Sequence, residues 1–229
     1  MKKLFAAALV LILVIVFFVY QKPEEAFTDE AKNAPNEPQK ISFAVPSQPL
    51  PILSEPTQKF SPPTIAKLKI LDEIFASRND NDSRLDTEFE EISPEVRAAL
   101  IVSYKSLPKE RLNERGTIIF LLGKKIEEEK DVDFFQDIIA EAPCLSLNDC
   151  NKESIVESLG DEHLAESQAT TLVYPQLVAL RLVSSNYQTT KETSLKERMA
   201  EFFKLAEQSP SEYIAEEAAR IQSEAGIKP

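Results

Sequence analysis

The sequence has no tryptophan, four glycines, two cysteines, two methionines and one histidine among 229 residues. Each shortage excludes a class of protein. The glycines, at positions 116, 123, 160 and 226, are isolated, so they form no glycine-rich phosphate loop. They also leave an all-β chain few places to turn its hairpins, and no Asn-Gly or Asp-Gly separates alternating strands. His163, Cys144 and Cys150 fall short of the four ligands of a structural zinc site. No serine stands in a Gly-x-Ser-x-Gly elbow, and His163, next to Asp161 and Glu162, reads as an exposed loop residue. Basic residues number 26 against 38 acidic ones, a net charge of −12. Dispersed as they are, they offer no patch to neutralise phosphates, so nucleic acid is not an expected partner. No cofactor and no catalytic residue are predicted.

What is present divides the chain into three. Residues 4–20 are apolar or aromatic without interruption. As a helix rising about 1.5 Å per residue they span roughly 25 Å, the short end of what crosses a bilayer core. A cleaved signal peptide is the rival reading, since Lys2 and Lys3 suit either. The run exceeds the roughly 7–15 residues of an h-region and no small-x-small site follows it, which favours an uncleaved anchor. No cysteine lies near its end to carry a lipid. Lys2 and Lys3 precede the span, and Glu24, Glu25, Asp29 and Glu30 follow it. Positive residues stay cytoplasmic, so residues 1–3 form a cytoplasmic tail and residues 21–229 are exported. The Met-Lys-Lys opening resembles bacterial exported chains. The expected location is a bacterial inner membrane, with a single pass and the rest of the chain in the periplasm or outside the cell.

Residues 21–63 hold nine of the fifteen prolines and no glycine. Proline fixes φ and lacks a donor, so this stretch can continue neither a helix nor a central strand. It reads as a disordered, partly polyproline-II tether, about 130 Å long if extended and about 40 Å across as a coil. An inert spacer is the plain reading. A sharper one treats Ile52, Leu53 and Phe60, or Ala44-Val45-Pro46, as anchors of a docking motif.

In an oxidising compartment two cysteines leave one pairing. Asn148 and Asp149 supply turn chemistry between Cys144 and Cys150. Two reduced, unrelated thiols are the alternative. A thioredoxin-like pair would have two intervening residues rather than five.

From residue 64 to 229 charge alternates with apolar residues at helical spacing, in a segment long enough for one well-buried domain. Ser93 followed by Pro94 reads as an N-cap and first turn. Ser194 with Glu197, and Ser209 with Glu212, have the capping-box spacing. Gly226 stands where a C′ glycine is expected. Ile214, Ala218, Ile221 and Ala225 lie on one face of a final helix. Leu195, Met199, Phe202 and Ala206 do the same on the one before it. Further helices are expected at 64–78, 108–125, 131–141, 152–159 and 174–186. Gly116 either allows close helix approach or breaks its helix. The fold class is therefore all-α, with short antiparallel helices and short loops.

The stretch "SPEVRAALIVSYKSLP", residues 93–108, resembles the helix of a HEAT-type repeat, with Pro94, Val96, Arg97 and the apolar run 98–100 in place. Residues 209–226, "SPSEYIAEEAARIQSEAG", are similar in style. The resemblance implies an α-solenoid that binds other proteins and is not a catalyst, with residues 143–170 as an insertion. An irregular helical bundle is the other arrangement.

The acidic stretch "RNDNDSRLDTEFEE" tests badly against a calcium loop. Counted from Asp80, Arg84 and Leu85 occupy positions that need a ligand and a glycine. It reads as a solvated turn, as "KIEEEKDVD" and "AEEAAR" read as solvated helix faces. The expectation is an anchored adaptor or assembly factor whose membrane contact is residues 4–20 and whose partners are proteins. A tethered cell-wall hydrolase recruiting a pair such as Glu90–Glu91, or a peptidoglycan-binding domain, is the alternative.

Overall fold

The computed structural model describes residues 60–153 and 168–227. The predicted span at 4–20, most of the tether, His163 and nearly all of the helix expected at 152–159 lie outside them. Among the described residues there are helices and no strands, and no helix is long and apolar enough to cross a membrane.

Among the described residues these helices follow in order: α1 (Pro62–Ser77), α2 (Arg84–Thr87), α3 (Pro94–Ser106), α4 (Leu112–Gly123), α5 (Glu129–Ile139), α6 (Tyr174–Thr189), α7 (Thr193–Ala206) and α8 (Glu212–Ala225). Residues 168–172 are helical as well and lead into α6 through Val173. The domain begins two residues before the expected boundary, because Pro62 and Pro63 form the first turn of α1, where an absent N–H costs nothing. Ser93 caps α3 by accepting from Val96 N at 3.2 Å, and Gly226 closes α8 in the left-handed region at φ 64°. The other two caps differ from expectation. α7 starts at Thr193 with no side-chain cap, and Ser194 donates to Glu192 Oε1 instead. Ser211, not Ser209, caps α8, accepting from Ile214 N. At α7 no side chain takes an end amide, and before α8 Ser209 Oγ accepts from Ser211 N, outside the helix, since short polar side chains bond readily to nearby backbone.

α3 and α4 run antiparallel. Arg97 on α3 meets the end of α4, whereas Tyr104 meets its start at Arg115. Elements two apart run side by side in the same direction. Gly116 and Gly123 of α4 lie against Tyr174 and Leu182 of α6. Arg97 and Tyr104 of α3 face Asp131 and Phe134 of α5. α1 packs on α3, α5 on α7 and α6 on α8. The result is two rows of helices, α3, α5 and α7 in one and α4, α6 and α8 in the other. Phe89, Phe135, Phe202, Phe203, Leu100 and Ile118 are fully buried in one core. Leu195, Met199, Phe202 and Ala206 are all buried on α7, as are Ile214, Ala218 and Ile221 on α8, so the helical period placed both faces correctly.

The two helical glycines answer the question raised by Gly116. It sits inside α4, and a Cβ on it would enter the ring of Tyr174. A Cβ on Gly123 would stand 2.6 Å from Leu182 Cδ1. Both let α4 and α6 approach closely.

Candidate interaction surfaces and polar clusters

The turn between α4 and α5 is organised by two side chains from other helices. Arg97 donates to Leu122 O at 3.1 Å and Lys125 O at 2.7 Å, and its guanidinium lies 3.3 Å from Asp131 Oδ1. Asp131 Oδ2 in turn accepts from the amides of Glu127 and Glu128, both at 3.1 Å. Arg97 thus covers carbonyls at the negative end of α4 and a carboxylate at the positive end of α5, where each charge is favoured. Asn186 of α6 completes the turn, donating to Gly123 O and accepting from Ile126 N. The stretch "KIEEEKDVD" is therefore only partly a solvated face. Glu127 and Glu128 pair outward with Lys125 and Lys130, but Asp131 is buried and structural.

A second cluster lies where α3, α4 and the end of α5 meet. Arg115, buried on the inward face of α4, donates to Tyr104 Oη at 2.6 Å and to Glu141 Oε2. Tyr104 Oη donates to Glu141 Oε1 at 3.1 Å. The guanidinium carbon stands 4.0 Å from the Tyr104 ring centroid, and Phe134 meets that ring edge to face at 5.4 Å. Burial, and then the Glu141 carboxylate, push the Tyr104 phenol well above its ordinary value. It therefore stays protonated and supplies neither a base nor a nucleophile near neutral pH. The adjoining cleft is lined by Lys109, Arg115, Glu141 and Gln176 among others and encloses about 10 Å³. That is roughly the space of one water, against the 300 Å³ or more of small-molecule sites. Arg115 was missed in the sequence. Its signal was its position, three, four and seven residues before Ile118, Ile119 and Leu122 on the inward face.

Cys144 and Cys150 have their sulfurs at disulfide-bonding distance and their Cα atoms 4.0 Å apart. Both are buried and share a small apolar cluster with Leu112 and Leu172. Cys144 N donates to Leu172 O, Leu145 N to Cys150 O at 3.1 Å, and Cys150 N to Glu110 Oε1 at 3.1 Å. Inside the loop Ser146 Oγ donates to Asp149 O and accepts from Asp149 N. Asp149 thus takes part in the turn as its chemistry implied. The loop is fastened to the α3–α4 connection on one side and to the segment before α6 on the other, while Leu145 and Leu147 project outward.

The acidic stretch after α1 holds its own cation. Arg84 lies 3.0 Å from Asp82 and 2.9 Å from Glu73. The Arg84 side chain, and next its backbone amide, hold the Asp82 carboxyl below its ordinary range. The stretch is more than a solvated turn. Leu85 and Phe89 drop into the core, Lys67 donates to Glu88 O and Glu91 O, and Lys124 reaches Leu85 O at 2.8 Å. No group of three or more metal-ligating side chains occurs among the described residues. Glu90 and Glu91 lie exposed on this loop.

Comparison of the chain with known protein families, curated proteins and solved structures gives no match.

Proposed function

We propose that this chain is a membrane-anchored, exported interaction module, an adaptor or assembly factor with no catalytic activity of its own. The helical domain is read as a short HEAT-like α-solenoid. The observation that carries this is the pairing of elements two apart in parallel, α3 with α5 and α4 with α6, with α3 and α4 antiparallel. Stacked helix pairs of this kind contact only their neighbours and present long faces to partners. The long stretch between α5 and α6 then reads as an insertion within one pair, stapled by Cys144 and Cys150. A cysteine pair at bonding distance fits an oxidising compartment, in agreement with the charge asymmetry around residues 4–20. A net charge of −12 directs the domain toward proteins with neutral or basic surfaces.

The test is affinity capture of the full-length protein from crosslinked cells. The control is a version ending at Pro63, which keeps the anchor and tether but lacks the helices. A partner retained by the full chain and lost from the truncated one supports the reading. The same catch from both would move the function to the span or tether. Release of cell-wall fragments by the purified protein, abolished by one carboxylate replacement, would overturn it in favour of a hydrolase.

A further inference from the structure

We propose that the tether docks on its own domain. In this reading Ile52 and Leu53 lie over the apolar strip that Ile65, Ile101 and Val102 expose along α1 and α3. Ile65 and Val102 are each 41% exposed, and Ile101, next to Val102 in the chain, is half-buried and packs on the core. The strip lies at the point where the tether enters the domain. Glu95, in the first turn of α3, accepts from Ser61 N at 2.7 Å and from Thr64 Oγ1 at 2.8 Å, both in the first turn of α1 or just before it. Ile65 is the next residue on α1. Val102 is seven residues after Glu95, two turns further on the same face, hence about 10 Å along α3.

The chain arrives from residue 59 through Phe60, which packs on the core. Leu53 is seven residues before Phe60. At about 3.1 Å per extended residue it reaches roughly 20 Å, twice the rise of about 10 Å from Glu95 to Val102 along α3. Pro51 and Pro56 bracket the segment and disfavour a helix, which keeps it extended. Ile52-Leu53 is the apolar pair nearest the entry point in the sequence. Charge agrees as well. Lys69 and Lys105, one turn beyond Ile65 and Val102, are exposed, and Glu55 follows Leu53 by two residues. A segment of the same chain confined this close has an effective concentration in the millimolar range, so it occupies a modest strip ahead of a second copy or another protein. Docking leaves residues 21–50 as the free tether and withdraws the strip from partners.

The experiment uses the full chain in detergent, with the photo-crosslinker p-benzoylphenylalanine replacing Val102. Ile65 serves as a second probe position and the exposed Glu201 on α7 as the control. Circular dichroism matching the unsubstituted protein certifies each fold. The expected product is an intrachain crosslink at monomer mass mapping to residues 50–55. It should form from both probe positions, be absent from the control, and fall at least fivefold with the paired replacement Ile52→Ser and Leu53→Ser. Crosslinks only to a second chain, another protein or detergent, or an intrachain yield unchanged by that replacement, would overturn the proposal.

Discussion

Replacing Glu141 by alanine should cost more stability than removing the arginine it neutralises. Arg115 has 6% of its side chain exposed and Glu141 29%. The E141A variant leaves a guanidinium buried beside Tyr104, whose hydroxyl loses its acceptor. Breaking a buried pair from one side costs roughly 3–5 kcal/mol. Water reaching the vacated space through the nearby cleft places this case at about 3 kcal/mol. Arg115→Met removes the buried charge itself. The remaining carboxylate is near enough to solvent to hydrate, so the loss is smaller, about 1–2 kcal/mol. The double variant should then be more stable than E141A alone by about 1 kcal/mol or more, because the stranded charge is gone. Urea unfolding followed by far-ultraviolet circular dichroism reads all three. With a slope of about 2 kcal/mol per molar urea, E141A shifts the midpoint by about 1.5 M. An E141A midpoint within about 0.25 M of wild type, or a double variant less stable than E141A, would refute the argument.

Replacing both Cys144 and Cys150 by alanine opens a loop whose ends are 6 positions apart. By chain entropy this should lower stability by about 2 kcal/mol, and the unreduced, denatured wild type should show no alkylatable thiol by mass spectrometry. Gly123→Ala drives a methyl to 2.6 Å from Leu182 Cδ1 and 2.9 Å from its Cβ, which a rotamer change alone cannot relieve. It should cost about 1–3 kcal/mol by thermal or urea melting. Gly116→Ala meets only the half-exposed ring of Tyr174, which can swing outward while the helix gains about 1 kcal/mol of propensity, so its melting point should stay close to wild type. The Glu95 carboxyl is held below its ordinary value, first by the Ser61 hydroxyl, then by the Ser61 amide and the Thr64 hydroxyl. Its contribution is present above the unfolded-state value and is lost as pH falls through the lower folded value. Hydrogen exchange of the α1 first turn should therefore rise in acid below the usual carboxylate range, and Glu95→Gln should flatten that dependence.

Local chemistry carried much of the helical architecture. The periodic faces of α7 and α8, the Ser93 cap and the glycine stop at Gly226 depend on interactions within a few residues, so they were legible one segment at a time. So was the pairing of Cys144 with Cys150, since two cysteines admit one partner each. Arg84 as a resident cation was equally readable, because its carboxylate Asp82 is two positions away. The choice of cap at α7 and α8 was not. Ser194, Glu192, Ser209 and Ser211 all offer an oxygen within reach, and the winner depends on where packing starts the helix.

The roles of Arg97, Arg115 and Asn186 depend on groups between 11 and 63 residues distant in the chain. A charge on the inward face of a helix shows that a partner must exist without saying which. Whether Gly116 broke its helix or admitted a neighbour was settled by Tyr174, a residue of another helix. The parallel pairing of alternate helices likewise arises from side chains of two helices interdigitating, and amphipathic period cannot choose between that and a bundle. Backbone propensity, caps and burial pattern act within a turn or two and are written in consecutive residues. The neutralisation of a buried charge and the close approach of two helices depend on what distant segments bring to the same place.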